Sequence, residues 1–169
     1  MREIRVGMLA PDLYYSSVTE IDLAMLTEAG VRHLLMDLDN TLMPRDRSDV
    51  PDEVREWLDA LPGLGMDACL VSNNWHAHVQ GVADLIGLPI VAKALKPFPS
   101  AFRKGLAALG ATPRDAAVIG DQIFTDVLGG NLLGMTTVLV KPQSKSDLPH
   151  TLLLRRAERL VLAGREPLA

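Results

Sequence analysis

The chain has a single cysteine, which excludes an intrachain disulfide, and Cys69 lies inside the apolar run Ala68-Cys69-Leu70-Val71. Free cysteine in such a run reads as core packing, not as a reactive thiol, and its scarcity fits a reducing compartment. There is no basic tract, and the net charge of −4 points away from nucleic acid as a partner. No apolar run approaches the roughly 20 residues needed to cross a bilayer. The first residues lack the charged start and apolar centre of a signal peptide. A soluble, cytoplasmic protein is the expectation. Internal repeats and low-complexity segments are missing too. With 169 residues, 48% of them hydrophobic and 22% charged, one domain with a sizeable core is expected. It would run from an N-terminal arm and helix over 1–30 to a loose tail over 165–169.

What is present is an alternation of strand and helix signals. Residues 1–20 read as an irregular arm with turn-like Pro11-Asp12 and Ser16-Ser17. Its apolar residues Met8, Leu9, Leu13, Tyr14 and Tyr15 either fold over the core or form a surface for a partner or a membrane. A short helix follows from Asp22 to Ala29, stopped by Gly30. The apolar run from Leu34 to Leu42 reads as a buried strand. Pro51 starts a helix through Leu61, and Asp67–Val71 is a second strand. Val79, Val82, Ala83 and Ile86 mark a helix, Leu88–Ala92 a strand, and 100–109 another helix. Asp115–Ile119 is a strand, a helix reaches about Leu133, and Thr136–Val140 is a strand. An amphipathic helix from Thr151 to Leu162 closes the pattern. The alternation predicts an α/β fold: a parallel sheet with right-handed crossovers and helices on both faces.

Polar residues follow four of these strands. Asp37 and Asp39 lie at i and i+2 of an extended segment and so point the same way. Two like charges that close tend to hold a proton unless a cation sits between them. Next come Ser72 and Asn73, then Lys96, then Asp121 and Asp126. Each signal is weak alone. Asp-x-Asp is common, Ser-Asn-Asn ordinarily means a cap or turn, and a lysine before Pro97 is usually a solvated turn. Pro97 does bias Lys96 away from helical geometry, which suits a residue leaving a strand. Together, at the carboxyl ends of strands where α/β sheets bind ligands, they form a candidate site.

The order and spacing resemble the haloacid dehalogenase (HAD) superfamily of phosphohydrolases. Asp37-Leu38-Asp39-Asn40-Thr41 is similar to its first motif, Ser72 to its second, Lys96 to its third, and Gly120-Asp121 with Asp126 to its fourth. Pro11-Asp12-Leu13-Tyr14, Val71-Ser72-Asn73-Asn74, Lys96-Pro97 and Gly120 to Leu128 further resemble the bacterial YqeG family of predicted phosphatases. That family is itself similar to mitochondrial phosphatidylglycerophosphate phosphatases. The resemblance implies a Rossmannoid fold and Mg²⁺-dependent phosphate-ester hydrolysis through an aspartyl-phosphate. It implies Asp37 as nucleophile and Asp39 as acid and base. Asp37, the Asp39 backbone carbonyl, Asp121 and Asp126 would be metal ligands. Ser72, the Asn73 N–H and Lys96 would hold the phosphate.

The chemistry requires such residues. A carboxylate nucleophile divides a slow hydrolysis into two displacements. Mg²⁺ takes an octahedron of oxygens and keeps several waters, so few carboxylates suffice. Donors and positive charge must face the transferring group. Capped relatives insert a domain after the first motif or between the second and third. Here neither the stretch from Leu42 to Pro51 nor that from Ser72 to Lys96 has room for one. An open site predicts a bulky substrate: a macromolecule, a lipid head group, or one enclosed by a second subunit of an oligomer. A lipid substrate would make the apolar arm a peripheral membrane contact. Two alternatives keep the same fold: a phosphate-responsive switch with a long-lived aspartyl-phosphate, and a non-catalytic interaction module.

Other residues carry less. His76 and His78, at i and i+2 of a helix, are expected to point apart, at the surface or the substrate lip. Trp75 either lines the entrance or packs on a helix. Arg45 and Arg47 read as a solvated loop, and His33 and His150 give no signal.

Overall fold

The computed structural model describes residues 7–145 and 149–168. Among them, strands β1 (Leu13–Tyr15), β2 (His33–Met36), β3 (Asp67–Val71), β4 (Ile90–Val91), β5 (Ala116–Gly120) and β6 (Thr136–Val140) form one all-parallel sheet in the order β1-β6-β5-β2-β3-β4. The helices are α1 (Leu23–Glu28), α2 (Asp52–Asp59), α3 (Ala77–Ile86), α4 (Pro99–Leu109), α5 (Leu128–Leu133) and α6 (Pro149–Val161). Strands covered on both faces read as unbroken apolar runs, and here alternate residues enter different cores. Leu34, Met36 and Leu70 join Leu26, Trp57 and Val82 from α1, α2 and α3. Leu35, Cys69 and Val118 join Phe102 and Leu106 of α4 on the other face.

The topology places the site. β2 pairs with β3 on one side and β5 on the other. From β2 the chain builds outward through β3 and β4, then returns to β5 and β6 across β2. The carboxyl ends of β2 and β5 therefore flank the switch point, where a crevice opens. The segment after Asp39 is a turn and loop leading to α2, and that after Ser72 holds α3 and β4. Neither carries a cap. No helix of the described residues is long and apolar enough to cross a membrane.

Three expectations change. The arm is not wholly irregular: Leu13 and Tyr15 pair with Val138 and Val140, making β1 an edge strand. The Asp12 carboxylate fixes it, accepting from Thr137 N–H at 2.9 Å and the Thr137 hydroxyl at 3.2 Å. The tail is tied down, with Leu168 N–H donating to the Tyr14 carbonyl at 2.7 Å. The first predicted strand stops at Met36 instead of Leu42, because the Leu38 carbonyl accepts from Leu42 N–H at 3.0 Å and turns the chain.

Close packing of α4 on α5 depends on Gly129. A Cβ there would lie 2.1 Å from Cε2 of the fully buried Phe102 ring. Gly129→Ala is expected to lower stability by about 1–3 kcal/mol from overpacking, net of the ~1 kcal/mol gain in helix propensity. Thermal melts of the two proteins check this; equal midpoints would mean that the interface yields.

Candidate active site

Asp37 N–H donates to the Ile119 carbonyl at 2.9 Å, so Asp37 is held by β5 although it lies just past β2. The chain then turns through Asn40, at φ 63°, a left-handed conformation that asparagine tolerates. The Asn40 side-chain oxygen accepts from Arg45 N–H at 3.1 Å. Asp37 and Asp39 both line one pocket of about 320 Å³, with Ser72, Asn73 and Lys96. The i, i+2 spacing brought the two carboxylates to the same side.

Lys96 arrives from the β4–α4 loop and is buried. Its Nζ donates to Asp37 at 2.8 Å and to Asp126 at 2.6 Å. Burial would push this ammonium down, but Asp126 and Asp37 outweigh it and hold it above the ordinary lysine value. Burial raises the Asp126 carboxyl to about 6, with Lys96 lowering it and Asp37 raising it. Burial also lifts Asp121 well above the usual carboxylate range; Asp37 adds repulsion and Arg155 opposes it. The Ser72 hydroxyl accepts from Asn74 N–H at 3.0 Å.

The residues fit a divalent cation. Asp37, Asp121 and Asp126 each present a carboxylate oxygen within 4.8 Å of the others, all buried. A donor set made wholly of oxygen suits a hard ion, and an ion there would offset the repulsion that Asp37 adds to the effect of burial on Asp121 and Asp126. The Asp39 carboxylate stands outside this group and accepts from Asn74 Nδ2 at 3.1 Å.

Several supporting contacts were not foreseen. The Asn73 side chain clamps the Lys96 backbone, accepting from its N–H at 2.7 Å and donating to its carbonyl at 3.2 Å. The Thr41 hydroxyl is within reach of Asp121 at 3.2 Å. Arg155 of α6 donates to both the carbonyl and the carboxylate of Asp121. Glu158 accepts from Arg155 at 3.2 Å and from Ile123 N–H at 2.7 Å. Asn74 and Thr41 sit in motifs visible in the sequence; the Arg155 contact depends on how α6 docks, which no local pattern encodes. Trp75, His76 and Arg45 also line the pocket. The two histidines do not point apart: His76 lies at the N-cap of α3, outside the helix, and its ring centroid is 6.2 Å from that of His78. His33 starts β2, away from the site, and pairs with Asp67 at 2.6 Å.

A six-stranded parallel sheet with acidic residues at its switch point is the architecture of the HAD-like phosphatases. Residues 94–160 match the HAD-hydrolase-like family model. The chain is 36% identical over 154 residues to "Probable phosphatase YqeG" of Bacillus subtilis, covering 91% of this chain and 90% of that one. It belongs to the YqeG family and is a HAD-type phosphatase. It is also 24% identical to phosphatidylglycerophosphate phosphatase 1 of Arabidopsis thaliana, over 90% of this chain and 46% of that longer protein. The fold resembles 3-deoxy-D-manno-octulosonate 8-phosphate phosphatase from Yersinia pestis, with a TM-score of 0.53 and 15% identity, over 84% of this chain and 86% of that one.

Proposed function

We propose that the protein is a Mg²⁺-dependent phosphate monoester hydrolase that works through an aspartyl-phosphate on Asp37 and accepts a bulky, phospholipid-like substrate. The observation that carries this is the pairing of Asp37 with Lys96 Nζ at 2.8 Å, beside Asp39, in a pocket that no cap domain covers among the described residues. A Asp37 carboxylate oxygen attacks phosphorus while the ester oxygen departs with a proton from Asp39. Water then attacks phosphorus as Asp39 takes its proton, releasing inorganic phosphate and restoring the Asp37 carboxylate and the protonated Asp39. Lys96, the Ser72 hydroxyl and the Asn73 N–H face the equatorial oxygens and stabilise their charge. Held by Asp37, Asp121, Asp126 and the Asp39 carbonyl, Mg²⁺ would supply the charge that lets an anionic substrate enter an acidic cluster. The Arabidopsis relative's name supports a lipid phosphate.

The test is phosphate release from an aryl phosphate with Mg²⁺ and with a chelator, followed by a screen that includes phosphatidylglycerophosphate. Release is expected to vanish with the chelator and return with Mg²⁺. Release that persists without any divalent ion would overturn the metal reading. Preference for a small sugar phosphate over every lipid would overturn the substrate reading.

A further inference from the structure

Around the pocket mouth, large apolar side chains face solvent where a soluble substrate would call for polar ones. Trp75 is 64% exposed, Leu95 68% and Phe98 64%. They stand on two loops joined into one rim. Lys93 N–H donates to the Asn74 carbonyl at 3.2 Å and Ala94 N–H to the Ser72 carbonyl at 3.0 Å, while the Asn73 side chain holds the Lys96 backbone. Leu95 adopts φ 61°, a left-handed conformation uncommon for residues other than glycine and asparagine. The backbone thus sends Lys96 inward to Asp37 and leaves Leu95 just before it and Phe98 two residues after it on the outside.

Charge follows the same geography. Between Asp84 and Asp115 the chain has no acidic residue and five cations, although the net charge is −4; Lys96 is committed to Asp37 and Asp126, and Arg114 precedes β5, at the opposite end of the strands. Lys93, Arg103 and Lys104 are exposed; Lys93 Nζ sits 5.7 Å from the Trp75 ring centre, and the other two lie in the first two turns of α4. An indole, two apolar side chains and the exposed cations Lys93, Arg103 and Lys104 match the interface of an anionic bilayer. Aromatic rings settle there at headgroup level, apolar side chains enter the acyl boundary, and cations meet the phosphates.

We propose that this rim is a membrane-docking surface that seats the pocket mouth on an anionic phospholipid bilayer, so that a headgroup phosphate reaches Asp37 without the lipid leaving the membrane. The proposal rests on the lipid-phosphate reading above and adds the surface that delivers the substrate. It also moves the membrane contact away from the N-terminal arm, whose residues 13–15 are committed to the sheet.

The test is co-sedimentation of the full chain with vesicles of phosphatidylcholine alone or mixed with phosphatidylglycerol. The Leu95→Asn, Phe98→Gln double variant serves as comparison, since asparagine accepts the left-handed backbone and neither side chain lines the pocket. The Asp37→Asn protein is run alongside, so that binding is read without hydrolysis. Expected are partitioning onto the anionic vesicles by the parent and by Asp37→Asn, and a drop of about tenfold or more in the double variant, with aryl phosphate hydrolysis retained. Undiminished binding by the double variant overturns the proposal. Absent vesicle binding by a parent that hydrolyses aryl phosphate overturns it while leaving the phosphatase reading intact. Concentration-dependent dimerisation that the double variant abolishes, without vesicle binding, would assign the rim to a second copy of the chain and also overturn it. Vesicle binding without any hydrolysis would count against the catalytic reading alone.

Discussion

Asp37→Asn is expected to fold as the parent does and to release phosphate on the order of 10⁴-fold more slowly or worse. The amide has nearly the shape of the carboxylate, and its oxygen can still accept from Lys96 Nζ, which sits 2.8 Å from Asp37. Lys96 keeps Asp126 as an ionic partner at 2.6 Å, so no buried charge is left alone. Asp37 also pushes the Asp121 and Asp126 carboxyls up; losing its charge relieves that repulsion, and the melting midpoint should not fall. What disappears is the nucleophile, because an amide oxygen does not form a stable ester with phosphorus. Phosphate release and a thermal melt on the same preparation check both halves. Retained turnover would remove Asp37 from the role. With an aryl phosphate, whose leaving group departs without an acid, Asp39→Asn separates the two displacements: a protein that still accepts the phosphoryl group but cannot activate water gains one phosphoryl group in intact mass.

The candidate residues were legible because they sit in short motifs at strand ends, and buried parallel strands announce themselves as apolar runs. β3 and β6 have the boundaries that the sequence suggests, since both are covered on two faces. β1 was hidden. Its three residues lie among turn-like neighbours, and pairing with β6, far along the chain, makes them a strand. The turn after Met36 was hidden for a related reason: Leu38 and Leu42 are as apolar as strand residues, but both are fully buried in a turn closed by the Leu38 carbonyl. At the site, residue types revealed which groups could react but not what holds them. The clamp of Asn73 on Lys96 and the grip of Arg155 on Asp121 are contacts between distant segments. Sequence spacing carries no information about them until α6 and the β4–α4 loop are docked.

Gly120→Ala tests that supporting architecture and should be the most damaging single methyl in the protein. A Cβ at Gly120 would lie 2.2 Å from both Cγ and Oδ2 of Asp126 and 2.5 Å from its Cβ. Asp126 has nowhere to retreat. It is 1% exposed and held by Lys96 Nζ at 2.6 Å and Gln122 N–H at 3.2 Å. Relieving the overlap means pulling the carboxylate off Lys96 or bending the end of β5, where Gly120 pairs with Leu139. Breaking a buried ion pair costs about 3–5 kcal/mol. For a chain of this size that corresponds to a drop of roughly 6–20 °C in melting midpoint. Displacing Asp126 also opens the oxygen cluster it shares with Asp37 and Asp121, so activity should fall by about 100-fold and need more Mg²⁺ to saturate. Asp126→Asn provides the contrast. It keeps the shape and removes the charge, so it should weaken the Mg²⁺ response with a smaller loss of stability. If Gly120→Ala instead melts with the parent and saturates at the same Mg²⁺ concentration, Asp126 is not packed against β5. The third carboxylate of the cluster would then have to be placed elsewhere.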